Sequence, residues 1–478
     1  MGMPISRRTA LKAAGWAGLG LTMPKFARAS AEAPVMVVAR GNPIIPGRGA
    51  CDPQVRVYDD HVYMYATHDA LPKSTDFVMN DWWVWHSTDL VQWELVSILK
   101  PEQTYFGKPS TQCWATDGAR RNGKYYFYFS MGPENIGVVE GDSPAGPWRD
   151  PLGHALIAKG SVPTESRDPG IFQEPDGTSF IVFGTFDYYL ARLHDDMTSL
   201  AEAPRLIPIE NKEGPYGKGR TDDKPFLHRR GGKYYLSWGC YYAVSDSLYG
   251  PYNCKGSIIK SELVSPEFLD PTNRTSPYAP PPQGAPQDWL GYDRHGSFFQ
   301  LYGQWYFICN DQALPGSNTY FRNSVISYVR YKENGDIDPI RLTPIGVGQY
   351  DANHRIEATD YFQAVKARVA EADDGRFQVR DLRDGSYLVY PKIRNLRQRP
   401  RLSISASSIH ADGLEIDIRR GGPAGPRLAK LAVKPPAGGA GESKPTATLN
   451  HVRDTDDLCL VFRGGPGELI RLNRLEFN

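Results

Sequence analysis

The sequence predicts an all-β protein: a five-bladed β-propeller with a second, smaller β domain behind it. A pattern repeated five times carries the first part of that expectation. An ionisable residue opens the pattern, a tight turn follows, and a run of aromatic and β-branched residues closes it. The cleanest copy runs from Asp223 to Trp238 (DKPFLHRRGGKYYLSW). The others are Asp52 to Tyr65 (turn Asp59-Asp60), Asp117 to Phe129 (turn Asn122-Gly123), Asp168 to Phe183 (turn Asp176-Gly177) and His295 to Ile308 (turn Tyr302-Gly303). A period of about 55–70 residues with several short strands per unit is the signature of a propeller. Beyond about residue 350 the composition shifts, and Leu414-Glu415-Ile416-Asp417-Ile418 alternates as a half-buried strand does.

The architecture says what the opening residues are for. The innermost strand of each blade lines the central channel, so a polar residue at the same place in each repeat converges with its counterparts at one end of the axis. Here that gathers Asp52, Asp117, Asp168, Asp223 and His295. Carboxylates brought together raise one another's pKa values, as a general acid requires. Any one of these aspartates alone reads equally as a turn cap. It is the shared register that favours a site.

The register, with CDP at 51–53, CWATD at 113–117, RDP at 167–169 and RHGSFF at 294–299, resembles glycoside hydrolase family 43. The segment GPENIGVVEGDSPAGPW (132–148) is also similar to that family's second blade. The resemblance covers about residues 40 to 345. It implies a five-bladed propeller that removes arabinofuranosyl or xylosyl units with inversion.

The chain is long enough for two domains after a leader, at 478 residues. A net charge of +1 without basic runs argues against nucleic acid as a partner. No internal apolar stretch approaches the roughly 20 residues that span a bilayer. Aromatic residues make up 12%, with 27 tyrosines and 10 tryptophans, which suits sugar-stacking surfaces and aromatic propeller strands alike. Oligomeric state is not legible.

Taken in order, Ser6-Arg7-Arg8-Thr9-Ala10-Leu11-Lys12, a weakly apolar stretch and Ala27-Arg28-Ala29 look like a twin-arginine export signal over residues 1–29. The expectation is a periplasmic or extracellular protein. The propeller is expected over 40–350. The six cysteines show no metal-site spacing; Cys240 and Cys254 are open to pairing across a hairpin or to remaining buried thiols. In blade one, Asp52 precedes Pro53, and the resemblance makes it the general base. The tryptophans at 82, 83, 85 and 93 read mostly as blade-to-blade packing. In blade two, Trp114 and Asp117 are expected to contact sugar, with Thr116 where the family commonly has proline. In blade three, Asp168 is implied to tune the acid's pKa and hold it in place.

Blade four departs from the family, whose general acid is normally a glutamate. Alignment on the following strand puts Asp223 there. Its carboxyl would sit on the order of 1.5 Å further back. An error of about 1 Å in a site costs about a hundredfold in rate. Asp222, Glu213 or a site that binds without cleaving are the alternatives.

The Pro-rich stretch Ser265 to Trp289 reads as a loop on the active-site face or a solvated linker, with Trp289 as a wall of the pocket. The resemblance places His295 on the axis near a cation, often calcium held by water; a core histidine is the competing reading, since calcium prefers oxygen ligands. Arg322 is expected to reach the substrate.

In the second domain (354–478), Ile356-Glu357-Ala358-Thr359-Asp360-Tyr361-Phe362 resembles the opening strand of a family 6 carbohydrate-binding module, a jelly-roll-like β-sandwich. Glu357 is then implied in a structural calcium site. Leu458 to Phe462 and Leu472 to Phe477 fit closing strands, and the stretch around 434–445 a loop. The expected activity is an inverting exo-glycosidase on plant-type polysaccharide, α-L-arabinofuranosides first and β-xylosides or β-galactosides next. A glycan-binding protein that has lost its acid is the rival.

Overall fold

The computed structural model describes residues 35–269, 286–407, 410, 412–435 and 442–478. The expected export segment lies outside the described residues, as do the centre of the Pro-rich stretch and half of the loop expected at 434–445. Apart from short single-turn helices, the regular structure of the described chain is strand, and no helix in it is long and apolar enough to cross a membrane.

Five antiparallel hairpin sheets follow one another, each with its innermost strand first: Ala50–Tyr58, Cys113–Arg121, Gly170–Gln173, Pro225–Arg230 and Gly296–Leu301. The turns sit where the repeat predicts them. In four blades the two central residues both have positive φ: Asp59-Asp60 (52° and 65°), Asn122-Gly123 (51° and 77°), Gly231-Gly232 (57° and 83°) and Tyr302-Gly303 (49° and 82°). That is the type I′ geometry, whose twist matches the strands it joins. The third blade uses a longer loop between Gln173 and Ser179.

Aromatic runs fill the space between blades. Trp82, Trp85 and Trp93 are fully buried, and the Trp82 indole donates to the Trp114 carbonyl at 2.7 Å, across the first blade boundary. Gly118 allows blades one and two to approach, since a Cβ there would lie 2.2 Å from the Tyr65 ring. The N-terminal segment closes the ring on blade five. Ile44 donates to the Ser324 carbonyl at 2.9 Å. The Asn42 amide donates to the carbonyls of Ile326 (3.0 Å) and Thr343 (2.9 Å) and accepts from Ile326 N at 2.9 Å.

From Tyr350 to Phe477 two sheets pack face to face over a second core that includes Tyr390, Ile404, Ile416, Leu460, Phe462 and Leu475. Leu414–Arg420, Asp456–Gly464 and Ile470–Phe477 are strands, as the alternation suggests. The expected opening strand is shorter: Ile356–Glu357 pairs with Leu475 and Arg474, and the chain then turns through Ala358–Asp360. All six cysteines are free.

Asn42→Ala should lower the unfolding free energy by about 2–3 kcal/mol, because it strands the partners of three closing hydrogen bonds. The urea midpoint reads this directly. An unchanged midpoint would show that Asn42 does not hold the ring shut.

Candidate active site

At one end of the channel lies a cavity of about 230 Å³ lined by Asp52, Asp168, Asp222, Asp223, Asp293, His295, Arg167 and Arg322, with Phe77, Met79, Trp114, Ala115, Tyr216 and Tyr292 as its walls. A larger cavity of about 430 Å³, between the propeller and the sandwich, contains none of these groups.

Backbone conformation delivers the carboxylates. Asp52 and Asp168 each precede a proline and sit at φ 46° and 62°, in the left-handed region that Asp tolerates better than most residues. Asp293, which precedes Arg294 rather than a proline, shares the left-handed conformation at φ 52°. In blade four the residue with this signature is Lys224, at φ 56° before Pro225, so Asp223 stands one residue ahead of the position expected for it. The Lys224 ammonium is buried and donates to the carbonyls of Thr116 (3.0 Å) and Pro169 (2.8 Å).

His295 sits between the carboxylates. Its Nδ1 lies 3.4 Å from Asp52 Oδ1 and 3.1 Å from Asp293 Oδ1; its Nε2 meets Asp223 Oδ1 and lies 3.7 Å from Asp222 Oδ2. Burial opposes its charge, but Asp223 and Asp293 more than reverse that and hold the imidazole protonated well above its ordinary range. Because the two ring nitrogens are themselves only about 2 Å apart, Asp52 Oδ1 and Asp223 Oδ1 stand no more than roughly 8 Å from one another.

Arg322 is the other organising cation. Its Nη1 donates to Asp52 Oδ1 (3.0 Å) and Asp293 Oδ1 (3.2 Å), its Nη2 to Asp52 Oδ2 (3.2 Å), and its Nε to Asp69 Oδ2 (3.0 Å). Asp52 also accepts from Thr67 Oγ1 at 2.5 Å and Asn310 Nδ2 at 2.8 Å. Burial would raise the Asp52 carboxyl, yet Arg322 and His295 outweigh it and keep the group ionised, far below the usual carboxylate range. Asp223 is held down in the same way against burial, by His295 and by Arg167, whose Nη2 lies 2.9 Å from Oδ2.

Three other carboxyls go the opposite way. Burial, with Asp223 adding to it, pushes Asp168 up to about 6 although Arg167 opposes. Burial likewise takes Asp293 to about 6 against Arg322, and raises Asp222, with Asp223 reinforcing.

Of the expected site residues, Asp52, Asp168, Asp223, His295, Trp114 and Arg322 line the cavity. Arg322 faces it from within its cluster of carboxylates. Asp117 does not line it: it is fully buried, bonded by Arg56 Nε (2.9 Å) and by Ile171 N (2.7 Å), and meets Arg56 Nη2 as well. Trp289 stands outside the lining, edge-on to Tyr292 with ring centroids 5.5 Å apart. Glu213 also lies outside it, and Glu357 pairs with Arg355 (2.7 Å) and Arg341 (3.5 Å) far from either ligand cluster. Sequence reasoning missed Asp69, Asp293 and Arg167. Only Arg167 and Asp293 carried a signal, their places beside Asp168 and His295.

Two groups of side chains could approach a cation, Asp52–Asp293–His295 and Asp222–Asp223–His295. Each supplies two carboxylates and one nitrogen, whereas calcium takes six to eight oxygens, to within about one ligand. Arg322 already neutralises the first group. These residues alone do not make a calcium site.

A family model described as "Glycosyl hydrolases family 43" matches residues 40–337. The chain is 26% identical over 502 residues to an arabinoxylan arabinofuranohydrolase of Paenibacillus polymyxa, spanning 92% of this chain and 75% of the relative. It is 26% identical over 346 residues to a xylosidase/arabinosidase of Bacteroides ovatus, spanning 62% and 95%. The crystal structure of a family 43 arabinoxylan arabinofuranohydrolase from Bacillus subtilis, in complex with cellotetraose, shares the fold across 91% of this chain and 97% of its own, with a TM-score of 0.51 at 20% identity.

Replacing Arg322 by Met should destabilise the protein by about 3–5 kcal/mol at pH 7, since it abandons buried carboxylates. The loss should shrink near pH 4 as they protonate. A pH-independent loss in urea unfolding would mean that packing, not charge, is what Arg322 supplies. Asp168 gives the opposite signature. With its folded pKa above the unfolded 3.8, the folded state binds the extra proton, so wild-type stability falls as pH rises from about 4 to 6. Asp168→Asn should therefore gain on wild type by up to about 3 kcal/mol between pH 4 and 7. A constant difference across that window would contradict the raised pKa.

Proposed function

The chain belongs to glycosyl hydrolases family 43, and from that premise we propose that it is an inverting exo-glycosidase that releases terminal α-L-arabinofuranosyl units from plant-type polysaccharides or oligosaccharides. The observation that carries the mechanism is the pair of ionised carboxylates on opposite sides of His295. Their separation, at most roughly 8 Å, reaches into the 6.5–9.5 Å window typical of inverting pairs, which leaves room for a water between base and sugar. Asp52, kept anionic by Arg322, deprotonates that water. The proton for the leaving oxygen rests on the His295–Asp223 pair and is delivered through the Asp223 carboxyl, with Asp168 and Arg167 holding that carboxyl in place. Asp168, poised near 6, supplies the like charge that makes Asp223 easier to protonate when the aglycone arrives.

A cavity of about 230 Å³ equals roughly eight waters at about 30 Å³ each, room for one sugar ring and not for a chain. That supports exo action, with Trp114, Tyr216 and Tyr292 as apolar walls. The arabinofuranoside is favoured because the arabinofuranohydrolase of Paenibacillus polymyxa matches along 92% of this chain. A β-xyloside is the second substrate reading, supported by the named activities of the Bacteroides ovatus relative. Asp222 is the second reading of the acid, supported by its raised pKa and its place in the lining. No step is assigned to a cation. Export rests on Arg7-Arg8 and the segment around them, and glycan binding by the sandwich on the opening segment at Ile356.

On a panel of aryl furanosides and pyranosides, one α-L-arabinofuranoside should be hydrolysed, with the inverted anomer as first product. Asp52→Asn should lose roughly 10²–10⁴ in kcat/KM. Asp223→Asn should lose most on poor leaving groups and least on dinitrophenyl glycosides. If Asp222→Asn shows that dependence instead, the acid is Asp222. Equal hydrolysis by wild type and Asp52→Asn would sink the mechanism.

A further inference from the structure

Beside the sugar pocket, Arg220 is exposed yet held flat. Its guanidinium carbon lies 3.9 Å from the centre of the Phe186 ring and 4.6 Å from that of Tyr216. The two rings stand edge to face at 6.0 Å, and Tyr216 stands edge to face on Tyr292, also at 6.0 Å. Tyr216 and Tyr292 are walls of the pocket, so the clamp is built directly onto its rim.

Two further observations mark it as more than incidental stacking. Phe186 is a bulky residue at φ 62°, a strained conformation that persists only where its surroundings impose it and that gathers at functional sites. The surroundings here are the segment that carries the acid: Phe186 N donates to the Asp222 carbonyl at 3.1 Å, and Thr221 Oγ1 donates to the Phe186 carbonyl at 2.7 Å. The second observation concerns charge. The guanidinium groups of Arg167 and Arg322 are taken up by carboxylates within the site. Two rings hold Arg220 from adjoining sides, and no carboxylate among the described residues takes up its N–H groups.

We propose that the Arg220–Phe186–Tyr216 clamp is a subsite for the carboxylate of an acidic sugar, a hexuronic acid carried by the substrate next to the unit held in the pocket. A planar fork of N–H donors matches a carboxylate in two parallel hydrogen bonds, which neither a neutral sugar nor a lysine reproduces. Contact with two rings orders the long side chain before the ligand arrives, so less is lost on binding. The preferred substrate is then an acidic, uronate-bearing polysaccharide rather than a neutral one. This rests on the glycosidase reading above.

The test is calorimetric binding of two probes, xylotriose and xylotriose carrying one glucuronic acid, to the Asp52→Asn protein, which does not turn them over. The acidic probe should bind about tenfold tighter at low salt, with the advantage shrinking at high salt. Arg220→Ala in the same background should erase the preference, and Arg220→Lys should restore only part of it. Competition by both probes against aryl-glycoside hydrolysis gives the same ratio in the active protein, should Asp52→Asn not fold. Equal binding of the two probes overturns the clamp and leaves the glycosidase reading standing. So does a preference that survives Arg220→Ala. Binding of neither probe overturns the clamp and the β-xyloside reading, and leaves the arabinofuranoside reading to the aryl-glycoside panel.

Discussion

One guanidinium makes the active end of this propeller affordable. Asp52, Asp69 and Asp293 are each almost wholly buried, and carboxylates so placed are strongly destabilising unless a cation meets them with good geometry. Arg322 meets all three: Nε donates to Asp69, Nη1 to both Asp52 and Asp293, and Nη2 to Asp52 again. The partners come from the first blade, the last blade and the segment leading into it. The ion cluster is therefore also a seam between the beginning and the end of the ring. Asn42 fastens that seam farther out, and Asn310 ties blade five to Asp52 by giving an amide hydrogen to its carboxyl and accepting from its backbone N–H at 2.6 Å. Closure of the ring and ionisation of the base depend on the same few contacts.

Around that seam, charge is distributed so that neighbouring carboxyls differ. Asp52 touches Arg322 and His295 and stays ionised; Asp168 and Asp293, equally buried but less fully compensated, hold protons up to about 6. Desolvation pushes every one of them upward. What separates them is how much positive charge each reaches. Divergent environments for similar groups are how a site obtains both a base and an acid at one pH.

The parts of the fold that were legible in the sequence are those governed by local rules. The paired residues Asn122-Gly123 and Gly231-Gly232 can hardly do anything but turn a hairpin, and the aromatic runs after them must bury themselves between blades. Asp52 and Asp168 were legible because Asp-Pro before a strand is a local signal. Asp69 and Asp117 show where this stops. Asp69 ends its strand with no proline or turn signal beside it and gains its meaning from Arg322, 253 residues away. Asp117 opens its repeat as Asp52 does, though with Gly118 in place of a proline, and Arg56, in the innermost strand of the neighbouring blade, captures it outside the cavity lining. Such pairings come from the ring closing, and no spacing in the sequence announces them.

Blade four shows the same limit at the residue that matters most for catalysis. Counting back from the turn put Asp223 at the place of Asp52 and Asp168, where an aspartate would fall short of a glutamate's reach. In the folded chain that place belongs to Lys224, which has the left-handed backbone and the following proline. Asp223 leaves the backbone one residue earlier, and its oxygens meet His295 on one side and Arg167 on the other. The missing methylene is thus measured from the wrong origin. The carboxyl stands against the imidazole that also flanks Asp52, on its opposite nitrogen, which is the placement the proposed acid needs. A buried lysine at the register position carries its own consequence: burial lowers its pKa while Asp117, Asp168 and Asp52 work against that, and its nitrogen is taken up by the carbonyls of Thr116 and Pro169.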